Sequence, residues 1–252
     1  MGRWCFDGKK IPLFYTPHGY SFLMSNHSRG KRFLYRLIET ITAKRQCTTI
    51  SCSYGEHQET LNLTKNAVYV NNGINVKKLR ETMNQVESTK HPLTVFTLGR
   101  ICYQKNPSLF NEIASAMPDA RFVWIGDGEL RQELVSANIE VTGWIDRISA
   151  IQCAIQGDVF LLTSRWEGLP MSLLEAMYMK KLCVVTDVIG NRDVICNKKN
   201  GFVCKKLDEF IQAIRSDKTD YIEQAFHDIE ERYTISVMAQ GYVDIYKKAL
   251  IG

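Results

Sequence analysis

The sequence predicts an α/β protein built on parallel sheets, with a complete Rossmann-like unit in its C-terminal part and a partial one before it. Three observations carry that prediction. From residue 94 onward, apolar β-rich runs alternate with helical patterns. Several of those runs are apolar at every position, as in Val159-Phe160-Leu161-Leu162. Glycines stand just past two of the run ends, at Gly99 and Gly126. Alternation of this kind implies right-handed βαβ units. Continuous apolar runs fit strands buried on both faces.

In chain order, the first part reads as strands at 11–16, 48–53 and 67–70, with one long helix at 29–45. The turn Asn71-Asn72-Gly73 ends the third strand, and a polar, charged segment runs on to His91-Pro92. Few large apolar residues occur there, so it reads as an interdomain linker. The second part reads as strands at 94–98, 121–125, 158–163, 182–186 and 201–204. Helices are expected between them at 107–116, 129–137, 147–156 and 171–180, and a last helix at 235–250. Three strands and one main helix are too little for a doubly wound domain. The expected division is therefore a partial N-terminal domain at 1–75, a linker at 76–92, a C-terminal domain at 93–232, and a terminal helix within 233–252.

Composition narrows the class. Of 252 residues, 45% are apolar and 23% charged, as in ordinary globular proteins. No run approaches 18 consecutive apolar residues, which argues against a transmembrane helix. The eight cysteines include no C-x-x-C pair, so zinc ribbons and thioredoxin-like sites are disfavoured and buried free thiols in a reducing compartment are expected. The net charge of +5 is uneven: residues 1–90 carry fourteen Lys and Arg against six Asp and Glu. A basic first part suits an anionic partner such as a membrane surface or phosphate. The helix at 29–45 sets Phe33, Leu34, Leu37, Ile38 and Ile41 on one side among Arg29, Lys31, Arg32, Arg36, Lys44 and Arg45. It reads either as a core-packed helix with a solvated face or as a membrane-surface patch. No nucleic-acid module accompanies the charge, so no nucleic-acid partner is expected.

The most informative stretch is Thr163-Ser164-Arg165-Trp166-Glu167-Gly168-Leu169-Pro170-Met171-Ser172-Leu173-Leu174-Glu175. A buried strand ends near Thr163, and a loop carries Glu167 and Gly168. Pro170 suits the first turn of a helix, where its missing N–H costs nothing. The amides of Met171 and Ser172 then lie at a helix N-terminus, an anion site suited to a diphosphate. Glu175 falls in the second turn, so two carboxylates bracket that pocket and can hold hydroxyls on either side. Such carboxylates need cations beside the phosphate. Arg100 and Lys105 supply them from Leu98-Gly99-Arg100-Ile101-Cys102-Tyr103-Gln104-Lys105, a loop after another strand end, where open α/β sheets place ligands. The run Gly126-Asp127-Gly128-Glu129-Leu130-Arg131 lacks the third glycine of a dinucleotide loop, which disfavours hydride transfer.

These motifs together resemble the family 4 glycosyltransferases of the GT-B fold. The family's E-x7-E signature is matched by Glu167 and Glu175, and its Gly-Arg followed by Lys by Gly99, Arg100 and Lys105. Gly126 and Gly128 match its strand-end glycines, and Asn72-Gly73-Ile74-Asn75 its domain junction. Thr16-Pro17-His18-Gly19 resembles its acceptor-side segment with a catalytic-site histidine.

The resemblance implies transfer of a hexose from a nucleoside diphosphate sugar, UDP-linked by preference, to a glycan or lipid-linked acceptor with retention. It implies that Arg100 and Lys105 hold the diphosphate, that Glu167 contacts the sugar and Glu175 the ribose, and that His18 faces the reacting centre. It implies no metal or other cofactor and a terminal helix that packs back on the first domain, while the free thiols and the basic helix point to a cytoplasmic protein at the membrane's inner face. Two departures stand out. The family's opening strands and glycine-rich loop have no counterpart before Ile11, so the start of the N-terminal domain is expected to be missing, to be completed by a partner chain or by self-association. After Thr186 the family has two adjacent glycines and a Glu, where this chain has Ile189-Gly190 and Asp193. The alternatives are a non-catalytic donor-binding subunit and a phosphorylase-type enzyme. The second would need a cofactor lysine and an inorganic phosphate site that are not evident.

Overall fold

A computed structural model describes residues 11–84, 92–217 and 219–251. Its first unit is a parallel sheet of β1 (Phe14–Tyr15), β2 (Thr48–Ser51) and β3 (Ala67–Tyr69), in that order. Between these strands lie α1 (Arg29–Ala43) and α2 (Tyr54–Leu61). A helix α3 (Val76–Met83) leads towards the second unit.

The second unit is a six-stranded parallel sheet. It contains β4 (Thr94–Leu98), β5 (Arg121–Ile125), β6 (Ile139–Val141), β7 (Val159–Leu162), β8 (Leu182–Thr186) and β9 (Phe202–Cys204), ordered β6-β5-β4-β7-β8-β9. Helices α4 (Pro107–Ser115), α5 (Arg147–Ile155), α6 (Met171–Tyr178), α7 (Asn191–Val194) and α8 (Leu207–Ile214) follow their strands. Helices α9 (Thr219–Arg232) and α10 (Ile235–Ile251) end the chain. The strand order reverses between β4 and β7. In a doubly wound sheet the crevice beyond the strand ends at that point is where ligands bind.

The period-two pleat explains why the strands read as apolar throughout. Phe96, Val123, Phe160 and Leu162 face one core, against α6 residues such as Leu173 and Leu174. Val95, Phe122, Trp124 and Leu161 face the other, against Phe110 and Ile113 of α4. Phe96 pairs in register with Phe160, and their rings lie 5.5 Å apart.

Several expectations are corrected. No α-helix occupies 129–137. Only a short 3-10 turn forms, at Arg131–Glu133. Asn111 Oδ1 accepts the amides of Val135 and Ser136 at 2.8 Å each, which ends the turn. Asn138 then donates to the carbonyls of Ala114, Met117 and Ala120 and feeds the chain into β6, a strand the sequence reading omits.

The segment expected as linker holds α3. Asn75 caps it by accepting the Lys78 amide at 3.1 Å, and Leu79 is buried. Three apolar side chains at helical spacing suffice when they land on a core, as Val76, Leu79 and Met83 do here. The remainder of that segment, residues 85–91 with His91, lies outside the described residues. Helix α2 was also not foreseen, and β1 is two residues long rather than six. Among the cysteines, Cys47, Cys52, Cys183 and Cys204 are buried, but Cys153 and Cys196 are exposed, one on the outer side of α5 and the other in the loop after α7. Burial pushes the Cys52 and Cys183 thiols well above their usual range, so they stay protonated.

The two units meet along the junction and the terminal helix. Ile74 donates to the Tyr233 carbonyl at 2.8 Å, and Ile235 donates to the Ile74 carbonyl at 2.9 Å. Gly73 lies against Thr234: a Cβ there would fall 2.3 Å from a backbone oxygen. Helix α10 returns to the first sheet, where Tyr246 meets Phe14 at 4.8 Å between ring centroids. Helix α1 buries little: Ala43 is its one buried residue, while Phe33, Leu34, Leu37, Ile38 and Ile41 are all exposed. Five large apolar side chains along one helix form a patch of the kind that marks an interaction surface. Among the described residues, no helix is long and apolar enough to cross a membrane.

Candidate functional site

The loop after β4 and the loop after β7 are laced together at the switch point. The Arg165 amide donates to the Gln104 carbonyl at 2.8 Å, Gln104 Nε2 to the Trp166 carbonyl at 3.0 Å, and Thr163 Oγ1 to the Lys105 carbonyl at 2.7 Å. The β4 loop is set from its other side by the turn after β5. Gly99 donates to the Ile125 carbonyl at 3.0 Å and Ile101 to the Asp127 carbonyl at 2.9 Å. This approach needs glycine at Gly126, where φ is +137° and a Cβ would lie 2.3 Å from the Gly99 oxygen.

The lacing brings Lys105 and Glu167 into direct contact. Lys105 Nζ donates to Glu167 Oε1 at 2.7 Å, with side chains 17% and 8% exposed. Ser164 Oγ donates to the same oxygen at 2.6 Å, and Gln104 Nε2 reaches the other at 3.4 Å. Glu167 thus accepts from three donors, Lys105, Ser164 and Gln104. Arg100 sits nearby in sequence but is solvent-facing, its Nε donating to Glu129 at 3.0 Å. The backbone around Glu129 and the Arg100 guanidinium hold that carboxyl below the usual range.

Helix α6 begins at Met171 with Pro170 as its N-cap, one residue later than the first-turn position expected for the proline. The Pro170 carbonyl takes the amides of Leu173 and Leu174. Helix geometry then leaves the amides of Met171 and Ser172 ahead of the first intrahelical acceptor, free in principle for an anion. Glu175 is buried one turn further on, and the Arg147 guanidinium at the start of α5 donates to it. Burial raises the Glu175 carboxyl above the usual range, and Arg147 opposes that rise. A small cavity of about 100 Å³ between α3 and α5 is lined by Glu175, Arg147, Lys78 and Asn75.

The first unit closes over the Glu167 loop. A Cβ built at Gly168 would meet Cys52 Sγ at 3.3 Å, Gly19 N at 3.4 Å and His18 C at 3.6 Å. The His18–Gly19 peptide therefore lies directly on Gly168, and the His18 side chain is exposed there. Asp193 bridges the same cleft: its carboxylate accepts the Gly55 amide of α2 at 2.9 Å and the Gly190 amide at 3.2 Å.

The structure brings some of the sequence-predicted residues together in pairs. Lys105 meets Glu167, and Arg100 meets Glu129. Arg147, Gln104, Ser164 and Glu56 were missed. Ser53-x-x-Glu56 has the spacing of a capping box, and Asp146 before an apolar run is an N-cap signal that places Arg147 at a helix start. Among the described residues, no group of three or more His, Cys, Asp or Glu is arranged to hold a metal.

If Glu175 accepts two ribose hydroxyls, as the family resemblance implies, it does so best when ionised, as an acceptor on both oxygens. Affinity for UDP should therefore fall as pH drops through the raised Glu175 pKa, at a pH above the ordinary carboxylate range. Glu175→Gln should bind UDP more weakly throughout, and the part of the pH dependence due to Glu175 should vanish. Calorimetry at stepped pH checks this, because the ionisation of UDP itself is common to both proteins.

Comparison with known proteins follows the same lines. Residues 92–217 match the family described as Glycosyl transferases group 1. The UDP-Gal:alpha-D-GlcNAc-diphosphoundecaprenol alpha-1,3-galactosyltransferase of Escherichia coli is 31% identical over 235 residues, covering 80% of this chain and 59% of that protein. The N,N'-diacetylbacillosaminyl-diphospho-undecaprenol alpha-1,3-N-acetylgalactosaminyltransferase of Campylobacter jejuni is 27% identical, covering 79% of this chain and 59% of that protein. The chain spans about three fifths of the length of these two relatives. Among solved structures, sucrose-phosphate synthase from Thermosynechococcus elongatus superposes with a TM-score of 0.81 at 14% identity, over 94% of this chain and 68% of that one. Anabaena HepE in complex with UDP and glucose gives 0.76 at 15% identity, over 94% and 72%. At such identities the likeness speaks for the fold.

Proposed function

This chain belongs to the group 1 glycosyl transferases, and from that premise we propose that it transfers a hexose from a UDP-sugar to a hydroxyl of a lipid-linked glycan, with retention. The observation that carries the reading is the Lys105–Glu167 pair at the β4/β7 switch point, with Glu175 in the helix that follows the Glu167 loop. The E. coli relative's name specifies a UDP-sugar donor, and both curated relatives' names specify undecaprenyl diphosphate acceptors, which favours these classes.

In this scheme the donor diphosphate enters among Arg100, Lys105 and the amides of Met171 and Ser172. Lys105 exchanges part of its contact with Glu167 for a phosphate oxygen. That frees Glu167 to accept a hydroxyl of the sugar, with Gly168 leaving room. Glu175 takes the ribose. His18 faces the sugar from the first unit. The leaving diphosphate is neutralised by fixed cations and amides, with no metal in the scheme, and positioning provides the remaining catalysis. Calorimetry of the chain with UDP, GDP and ADP tests the donor half. Binding of UDP should exceed that of the other two, and loss of all binding would remove the reading.

The acceptor half places the protein on an anionic membrane surface through α1. Its apolar stripe is exposed and flanked by Arg29, Lys31, Arg32 and Arg36. Each basic residue near such a surface contributes about 1 kcal/mol. Co-sedimentation with vesicles should rise with anionic lipid, fall with salt, and be lost in Arg32→Glu/Arg36→Glu. A second reading, a donor-binding subunit completed by a partner chain, is favoured by the same exposed stripe. It predicts UDP binding without turnover.

A further inference from the structure

His18 lies in an irregular loop, residues 16–20, that leaves β1 and crosses to the donor side. Such a loop needs an anchor if its side chain is to meet a sugar reproducibly. The anchor is Glu56, a buried residue of α2 that is 1% exposed. Its Oε1 accepts the Gly19 amide at 2.6 Å and its Oε2 accepts the Cys52 amide at 2.8 Å. One carboxylate thus joins the His18 loop to the end of β2.

Glu56 is itself held. Its amide donates to Ser53 Oγ at 3.2 Å, and its carbonyl accepts the Thr60 hydroxyl at 2.9 Å. Tyr20, at the far end of the loop, donates to or accepts from that same Thr60 hydroxyl at 2.9 Å. The usual partner of a residue three after an N-cap is the N-cap's own amide. Glu56 instead reaches past Ser53 to Cys52, and spends its second oxygen on Gly19.

A carboxylate is the side chain this bridge requires. Two amide donors face it, and an ionised carboxyl is acceptor-only on both oxygens. A glutamine would turn its NH2 towards one of the two donors. The Gly19 amide that Glu56 holds is also the atom that would lie 3.4 Å from a Cβ at Gly168. The grip on Gly19 therefore sets how the His18–Gly19 peptide rests on the loop that carries Glu167.

We propose that Glu56 is a positioning residue for transfer: by holding Gly19 it fixes the His18 loop against Gly168, and so aligns the acceptor side with the donor sugar. The proposal rests on the transferase reading. The test uses Glu56→Gln and Glu56→Asp. The aspartate keeps both oxygens but is one methylene too short to reach both amides, and it serves if the glutamine variant does not fold.

In either variant the Gly19 amide should exchange with deuterium at least about tenfold faster, while UDP affinity stays within about twofold. Turnover should fall about ten- to a hundredfold with the donor KM unchanged, the size expected for a small misplacement of a reacting group. In a His18→Ala background the same substitution should lower turnover by less than about twofold, because its effect runs through His18. Unchanged exchange at Gly19 overturns the proposal, and so does an equal loss of turnover with and without His18. If the wild-type chain shows no turnover with any donor, the transferase reading fails, and Gly19 exchange alone then decides whether Glu56 anchors the loop.

Discussion

Lys105→Ala is expected to cost the protein about 2–3 kcal/mol of stability and to weaken UDP binding roughly tenfold or more. The stability loss follows from burial. Glu167 is 8% exposed at its side chain, and removing Lys105 takes away the cation paired with it. Breaking a fully buried pair costs more, but Ser164 and Gln104 still donate to the stranded carboxylate. The binding loss follows from the missing charge at the diphosphate. Arg100→Ala should separate the two effects. Its pair with Glu129 is solvent-exposed on both sides, so stability should be nearly unchanged while UDP binding again weakens about tenfold. Urea unfolding and calorimetry on the two variants check this. Equal stability losses would mean that Lys105 and Glu167 are not the buried pair described.

Gly126→Ala should be as damaging without removing any functional group. The new Cβ would lie 2.3 Å from the Gly99 oxygen, at a φ of +137° that an alanine adopts only under strain. The cost should be about 2–4 kcal/mol, with the Arg100 loop displaced and UDP binding weakened alongside. Gly30→Ala is the control. That glycine is within α1 with nothing within 4 Å of a Cβ, so the change should be neutral or stabilising by up to about 1 kcal/mol. Thermal unfolding of the two variants distinguishes a backbone contact from a general intolerance of side chains.

Much of this architecture is legible in the chain because buried parallel strands advertise themselves. The strands at Thr94–Leu98, Arg121–Ile125 and Leu182–Thr186 lie where their apolar runs begin and end. Where reading failed, a side chain distant in sequence decided the outcome. Asn111 and Asn138 draw 134–139 out of a helical pattern, and α3 forms because the core lies under three modestly spaced apolar residues. The site follows the same rule. Glu167, Glu175, Arg100 and Lys105 stand out by type and spacing. That Lys105 closes on Glu167 across 62 residues, or Arg147 on Glu175 across 28, depends on loops laced at the switch point. Glu56 gave only a capping-box spacing, and its actual partners, Gly19 and Cys52, come from the fold.

The most direct test of the central claim is a transfer assay on vesicles containing a polyprenyl-diphosphate-linked sugar, with UDP-hexose as donor and Glu167→Gln as the paired variant. The wild-type chain should release UDP and add one hexose to the acceptor in equal amounts, while Glu167→Gln keeps its UDP affinity within about twofold and loses turnover about a hundredfold. Equal turnover by the two proteins, or no transfer by the wild type from UDP-, GDP- or ADP-linked hexoses, would contradict the account.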